Sequence, residues 1–293
     1  MHVLYRNKWL IAAGVLPALL VYFTFVLLPI ANSAYFSFFN WDGFSERTWV
    51  GLKNYGELLR DRVFWSSFRN NIYFLLSAVF GQLLLGLVFA IVLNGKLVRG
   101  RSVYKSAFFM PVVLSTVVVS LFWTMMYNFR IGLINNLLER IGLEDWARNW
   151  LGEPGIAVFA VCVAFVWQYS GFYMIIFLAA LQNVSTEVLE AAEIDGAGGL
   201  RKSWSITIPM ISETIFTCVA LCISFSLRIF DLVYVMTKGG PNHATDVMAT
   251  YMYQSTFSSL RYGYGATIST AIIVLSFTFI FIARMLMTKN GER

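Results

Sequence analysis

Apolar runs of about 20 residues, the length a helix needs to cross a hydrocarbon core, recur from one end of this chain to the other. No other feature narrows the fold as much. Lipid offers the backbone no hydrogen-bond partners, so each run must satisfy its own N–H and C=O groups as a helix. The runs fall at 10–30, 72–93, 107–127, 156–181, 211–235 and 266–287. They predict an all-α membrane protein of six transmembrane helices. Composition agrees, with 58% hydrophobic residues and 13% charged, against about 25% charged in soluble domains. The first run could be read as a secretory signal with Ala31-Asn32-Ser33-Ala34 as its cleavage region. It exceeds the usual apolar core of about 7–15 residues, so an uncleaved first span is expected.

The formal net charge of +6 does not point to nucleic acid. Lys and Arg cluster between the apolar runs, where they orient the spans. The densest cluster is Lys96, Arg99, Arg101 and Lys105, in a short loop without acids. That loop is assigned to the cytoplasm, which puts both the N and C termini there too. Cys162, Cys218 and Cys222 all fall inside apolar runs and read as small buried residues. Of the two histidines, His2 is at the terminus and His243 in a loop, and no metal or acid–base role is expected of either. No nucleophile with a base, no paired carboxylates and no phosphate-cradling glycine loop is present. A pump with this sequence holds no cofactor of its own and takes its energy from a partner.

Within the spans, Gly81 and Gly86 predict close helix contact beside Gln82. Ser115, Thr116, Ser120 and Thr124 place hydroxyls along the third run, where such groups usually satisfy backbone carbonyls or a neighbouring helix. Arg228 and Asp231, three apart near the outer end of the fifth run, are expected to pair on one helix face or to snorkel to water. Between the spans, 131–141 reads as an amphipathic helix, Trp146 and Trp150 as interface residues, and Gly239-Gly240-Pro241 as a turn.

One island of charge and small residues breaks the apolar pattern: Glu190-Ala191-Ala192-Glu193-Ile194-Asp195-Gly196, running on to Ile206-Thr207-Ile208-Pro209. Thr186 is placed to cap a helix, and Glu187 suits its positive end. Gly196, Gly198 and Gly199 stop that helix, and 200–205 can start a second. Ile208, preceding Pro209, is expected to leave the helical region. A helix–glycine–helix unit hung between two spans has no core of its own. Its alanine face suits a groove on a partner, or else it is a polar loop with a helical turn.

The spacing Glu190-Ala191-Ala192, Gly196, Ile206, Pro209 resembles the EAA loop of ABC importer permeases, with Ile208 where the family usually has Leu. The string from Glu190 through Ala197, including Asp195, is most similar to the carbohydrate-uptake branch, the maltose and glycerol-phosphate type. The resemblance implies a type I ABC importer permease fold. It implies a first helix and external loop at 1–69, a permease core at 70–287 with a coupling loop at 185–209, and a tail at 288–293. It further implies that the chain is not an enzyme but a transport subunit in a bacterial or archaeal inner membrane. ATP and Mg would be bound by the partner ATPase. The partners it implies are a second, different permease, two ATPase subunits, an extracytoplasmic sugar-binding protein and membrane lipid.

In such permeases the coupling residues are Glu190, Ala191, Ala192, Asp195, Gly196, Ile206 and Pro209. By distance from Glu190, the sugar path falls near Phe165, Tyr169, Cys222 and Ser226. Gln168 and Phe172 join it as part of an aromatic and polar cluster with Trp167 and Tyr173, of the kind that binds sugars. The reading from a different class is an ion-coupled secondary sugar carrier. It would need carboxylates or broken helices at mid-membrane depth, and the sequence shows almost no acids there.

Overall fold

The computed structural model describes residues 8–95, 98–195 and 203–291. Its helices are α1 (Lys8–Tyr22), α2 (Leu28–Phe36), α3 (Lys53–Arg60), α4 (Arg62–Ser77), α5 (Leu84–Asn94), α6 (Arg101–Val113) and α7 (Thr116–Met126). They continue with α8 (Leu133–Arg140), α9 (Ala157–Gln182), α10 (Thr186–Ile194), α11 (Ser212–Leu227), α12 (Asp231–Met236), α13 (Met248–Tyr253) and α14 (Tyr262–Gly291). Among the described residues, 4 helices are long and apolar enough to cross a membrane: Ala13–Phe36, Arg62–Asn94, Ala157–Gln182 and Tyr262–Met285. Two bent pairs bring the number to 6 if each is one span. Short π-helical stretches at Phe23–Leu27 and Ala78–Leu83 join α1 to α2 and α4 to α5 without ending those helices.

Two of the apolar runs are not the single helices that hydropathy predicts. The third bends by 97° between α6 and α7, because Leu114 (ψ 142°) and Ser115 (ψ 136°) take extended backbone. Pro111 lies in the last turn before the bend, and its missing N–H weakens that turn. The fifth stops at Leu227, and α12 starts only at Asp231. Arg228 and Asp231 therefore do not share a helix face, and no ion pair joins them. The Arg228 guanidinium instead bonds the Ser224 carbonyl at 3.2 Å and its hydroxyl at 2.9 Å.

The chain divides into two compact units. The first comprises Met1–Asp61 and Met252–Val274. Here β1 (Phe39–Asn40) pairs antiparallel with β2 (Thr48–Trp49), with Phe39 opposite Trp49. Asp42 closes the turn between them. Its carboxylate accepts the N–H groups of Phe44 at 2.9 Å and Ser45 at 2.8 Å. Those bonds stabilise the charged form and lower its pKa to about 2. The Asn54 amide donates to the Ser37 and Phe39 carbonyls, which ties α3 to the hairpin. One terminal nitrogen of Arg261 donates to both Glu57 oxygens at 2.7 Å.

The second unit comprises Arg62–Tyr251 and Leu275–Arg293, and its core lies along α9. Val161, Ala164, Tyr173 and Met174 of α9 are fully enclosed, as are Phe74 of α4 and Ala78 just after it. Small residues let backbones approach where membrane helices meet. A Cβ on Gly86 of α5 would lie 2.9 Å from the Met174 backbone nitrogen. One on Gly81 would lie 2.7 Å from a Val166 methyl. Both glycines thus sit at the close contact expected of them. Gln82 between them donates to the Phe165 carbonyl at 2.8 Å.

Two adjacent asparagines near the start of the second span hold the 244–248 segment. Asn70 donates to the Ala244 and Asp246 carbonyls at 2.9 and 2.8 Å. Asn71 donates to the Ser226 carbonyl at 2.7 Å and accepts the Met248 N–H at 2.9 Å. Both side chains are buried. Asn71→Ala orphans a buried donor and a buried acceptor, each costing about 1–3 kcal/mol. A loss of about 3 kcal/mol is expected, read as a lower unfolding midpoint in detergent. Asn70→Ala, which orphans two carbonyls and no donor, should cost less.

Candidate functional site

The first part of the Glu190 island, Thr186–Ile194, is a helix, as the sequence suggests. In α10, Thr186 is the first helical residue rather than the cap, and Glu187 lies in the first turn, where the helix dipole favours an acid. Glu190, Ala191 and Asp195 are exposed. The Asp195 N–H closes the last turn on the Ala191 carbonyl at 3.0 Å. Ile194 is 87% exposed and Trp204, across the island, 69%. Both are large apolar side chains open to solvent on a short polar connection. The side chain of Ala192, and Gly196 altogether, lie outside the described residues, as do Gly198 and Gly199.

The far side of the island departs from expectation at Pro209. Ser203–Thr207 is a π-helical turn and Ile208–Met210 continues it, with Pro209 in the first turn of that helix. Helical backbone runs into Pro209 from Ser203, so its missing N–H forgoes a bond to the preceding turn, and the helix ends one residue later at Met210. The chain turns at Ile211 instead, and a 69° bend leads into α11. Ile206 is half-buried and Pro209 exposed. Ile211, next to the bend, is buried and anchors the segment to the core.

A pocket of about 340 Å³ opens between α7, α9 and the break after α11. Phe165, Tyr169 and Phe225 form its aromatic wall, and Thr116, Arg228 and Asp231 bring polar groups to it. Tyr169 stacks on Phe225 with ring centroids 6.4 Å apart, and Phe172 meets the same ring edge-on at 6.5 Å. Gln168 is buried behind this wall. Its amide donates to the Thr116 hydroxyl at 3.3 Å, and its Oε1 has no partner.

Of the six path residues read from the sequence, Phe165 and Tyr169 line the pocket, while Gln168 and Phe172 lie behind or beside it. Cys222 and Ser226 are fully enclosed and do not line it. They lie one turn apart on a face of α11 turned to the core, where the Ser226 carbonyl takes the Asn71 amide. Phe225, on the adjacent face, reaches the pocket in their place. Trp167 lines a separate apolar groove of about 680 Å³ with Trp123 and Phe108, and Tyr173 is part of the core. Phe225 and the residues of the break went unmarked in the sequence, apart from Arg228 and Asp231. Two charges at the end of an apolar run were the available signal. Among the described residues no group of His, Cys, Asp and Glu could hold a metal ion.

A family model described as "Binding-protein-dependent transport system inner membrane component" matches residues 82–289. The probable ABC transporter permease protein YurN of Bacillus subtilis (strain 168) is 35% identical over 289 residues, covering 98% of each chain. The trehalose/maltose transport system permease protein MalF of Thermococcus litoralis is 35% identical over 281 residues, covering 95% of this chain and 94% of its own. A chain in the crystal structure of a bacterial ABC transporter involved in import of the acidic polysaccharide alginate superposes with a TM-score of 0.83, at 21% identity and 98% coverage of both. That likeness shows the same type I permease fold. With apolar spans, a broken pair on either side of α9 and an exposed helix between spans, the chain belongs to the binding-protein-dependent inner membrane components, the multi-pass permease subunits of ABC importers.

Proposed function

We propose that this chain is one of two unlike permease subunits of an ATP-driven sugar importer. An extracytoplasmic binding protein delivers the sugar, and two ATPase subunits, which bind ATP and Mg, supply the work. The 70–287 core encloses half of the path. The 185–209 loop faces the cytoplasm, and α10 seats in a groove of one ATPase. Glu190 makes a charged contact there, Ala191 and Ala192 permit close approach, and Gly196 allows the turn out of the helix. The 1–69 segment is an added first span and external loop, and 288–293 is a cytoplasmic tail.

The observation that carries this reading is α10 itself, a helix whose acid, alanine and isoleucine are open to solvent between two membrane segments. Relatives over nearly the full length, such as the trehalose/maltose permease, support a sugar as cargo. Coupling of this kind requires two global states that a ligand or motor binds with different free energy. Family membership favours ATP over an ion gradient as the source of that difference.

The test is reconstitution with co-purified partners in proteoliposomes, followed by a panel of neutral sugars, polyols and glycerol phosphates. At least one sugar-loaded binding protein should stimulate ATP hydrolysis several-fold and drive uptake. Uptake that survives ATP depletion and collapses with an uncoupler would overturn the reading in favour of an ion-coupled carrier.

A further inference from the structure

We infer that Arg228 and Asp231 act as a split charge pair that selects neutral, polyhydroxylated sugar rings, an inference that rests on the importer reading above. The two residues border one pocket, and both are exposed to it rather than sunk in the core. Arg228 spends Nε and one terminal nitrogen on Ser224 and makes no further bond to a described residue. The Asp231 carboxylate accepts no bond from a described residue.

Adjacent opposite charges that do not pair are unusual, because pairing is the easiest way to lower the cost of a charge near lipid. Here the helix is interrupted between them. The helix ends at Leu227, Arg228 takes φ −109° and ψ 8°, and the next helix begins at Asp231. The break places a donor fork and an acceptor on the same pocket wall, with no ion pair between them.

The chemistry of that wall fits a sugar hydroxyl pair. One hydroxyl oxygen accepts from the guanidinium, and a neighbouring hydroxyl donates to the carboxylate. Phe165, Tyr169 and Phe225 offer rings to the apolar face of a pyranose. A volume of about 340 Å³ lies at the small end of ligand pockets, which run from about 300 to 1,000 Å³, and suits one or two rings. The pocket's side chains sum to zero charge, so an anionic sugar gains Arg228 but must also face Asp231. Specificity of this sort is set by the repulsive element as much as by the attractive one.

The test uses the assembled permease–ATPase complex. Equilibrium binding is measured for glucose, maltose, trehalose and lactose, and for the 6-phosphate of whichever binds tightest. The wild-type complex is expected to prefer the neutral sugar over its phosphate by about tenfold or more. Arg228→Gln should weaken the neutral sugar about tenfold, the effect of one lost hydrogen bond to a charged group. Asp231→Asn should reverse the preference toward the phosphate. Each variant complex should keep the helical content and thermal midpoint of wild type in detergent, which shows that the fold is intact. Variants that fold as wild type yet keep its affinity and preference would overturn the charge-pair assignment and leave the importer intact. A wild-type complex that neither binds nor takes up any sugar of the panel would instead overturn the importer reading on which the assignment rests.

Discussion

Ala191→Trp should abolish ATP-driven uptake while leaving membrane insertion and helical content unchanged. Ala191 is exposed on α10. An exposed helix position tolerates added bulk with little effect on stability, so a loss of uptake with the fold retained points to a partner surface. Helix-in-groove contacts concentrate their energy in a few anchors, each worth about 2–4 kcal/mol. At about 1.4 kcal/mol per tenfold, losing one lowers occupancy of the docked state by about 30-fold to 1,000-fold. Glu190→Ala, which removes a rim charge and adds no bulk, should reduce uptake far less. A photo-crosslinker at position 191 should capture the ATPase subunit during turnover. Capture of lipid alone, or full uptake by the tryptophan variant, would remove the docking role. From the sequence, a bulky residue at Gly196 is expected to behave as Ala191→Trp does.

Gly171→Val should be strongly destabilising. A Cβ at Gly171 of α9 would lie 1.9 Å from the Phe108 carbonyl oxygen and 2.6 Å from its carbon, both backbone atoms of α6. Backbone cannot rotate away as a side chain can, so α6 must translate. That in turn disturbs the Phe89–Phe108 stack, whose rings lie 4.3 Å apart. Overpacking costs about 1–3 kcal/mol where side chains can adjust, and more where they cannot. A loss of about 4 kcal/mol or outright failure to accumulate is expected for Gly171→Val. Gly86→Ala, with its nearest contact at 2.9 Å, should fall between, and Gly14→Ala, with nothing within 4 Å, should be neutral. The series is checked by thermal midpoints in detergent. Equal midpoints for the Gly14 and Gly171 variants would show that α6 and α9 do not meet as described.

Much of this was legible in the residues. Charge and small side chains at Glu190 to Asp195 interrupt an apolar chain, and a helix with an acid in its first turn follows from local rules. Gly81 and Gly86 announced a close helix contact because only a missing side chain explains glycine inside a span. The Asn70–Asn71 clamp was not legible. Two asparagines at the start of a span look like interface residues, and their partners lie more than 150 positions away. The pocket was half legible: Phe165 and Tyr169 line it, whereas Cys222 and Ser226 are enclosed. A shift of one residue along α11 turns a side chain through about 100°, so a position inferred by counting from Glu190 can land on the wrong face.

The sequence by itself determined that the chain crosses a membrane, roughly where, and which charged segment is left outside the spans. Those follow from transfer free energies that sum over about 20 residues and need no knowledge of neighbours. Only the tertiary structure decided that the third and fifth apolar runs break, at Leu114–Ser115 and after Leu227. Hydropathy is blind to ψ: an extended leucine is as apolar as a helical one. The breaks persist because packing against α9 compensates the backbone for the helical bonds it gives up, and the pocket with its two separated charges exists because of them.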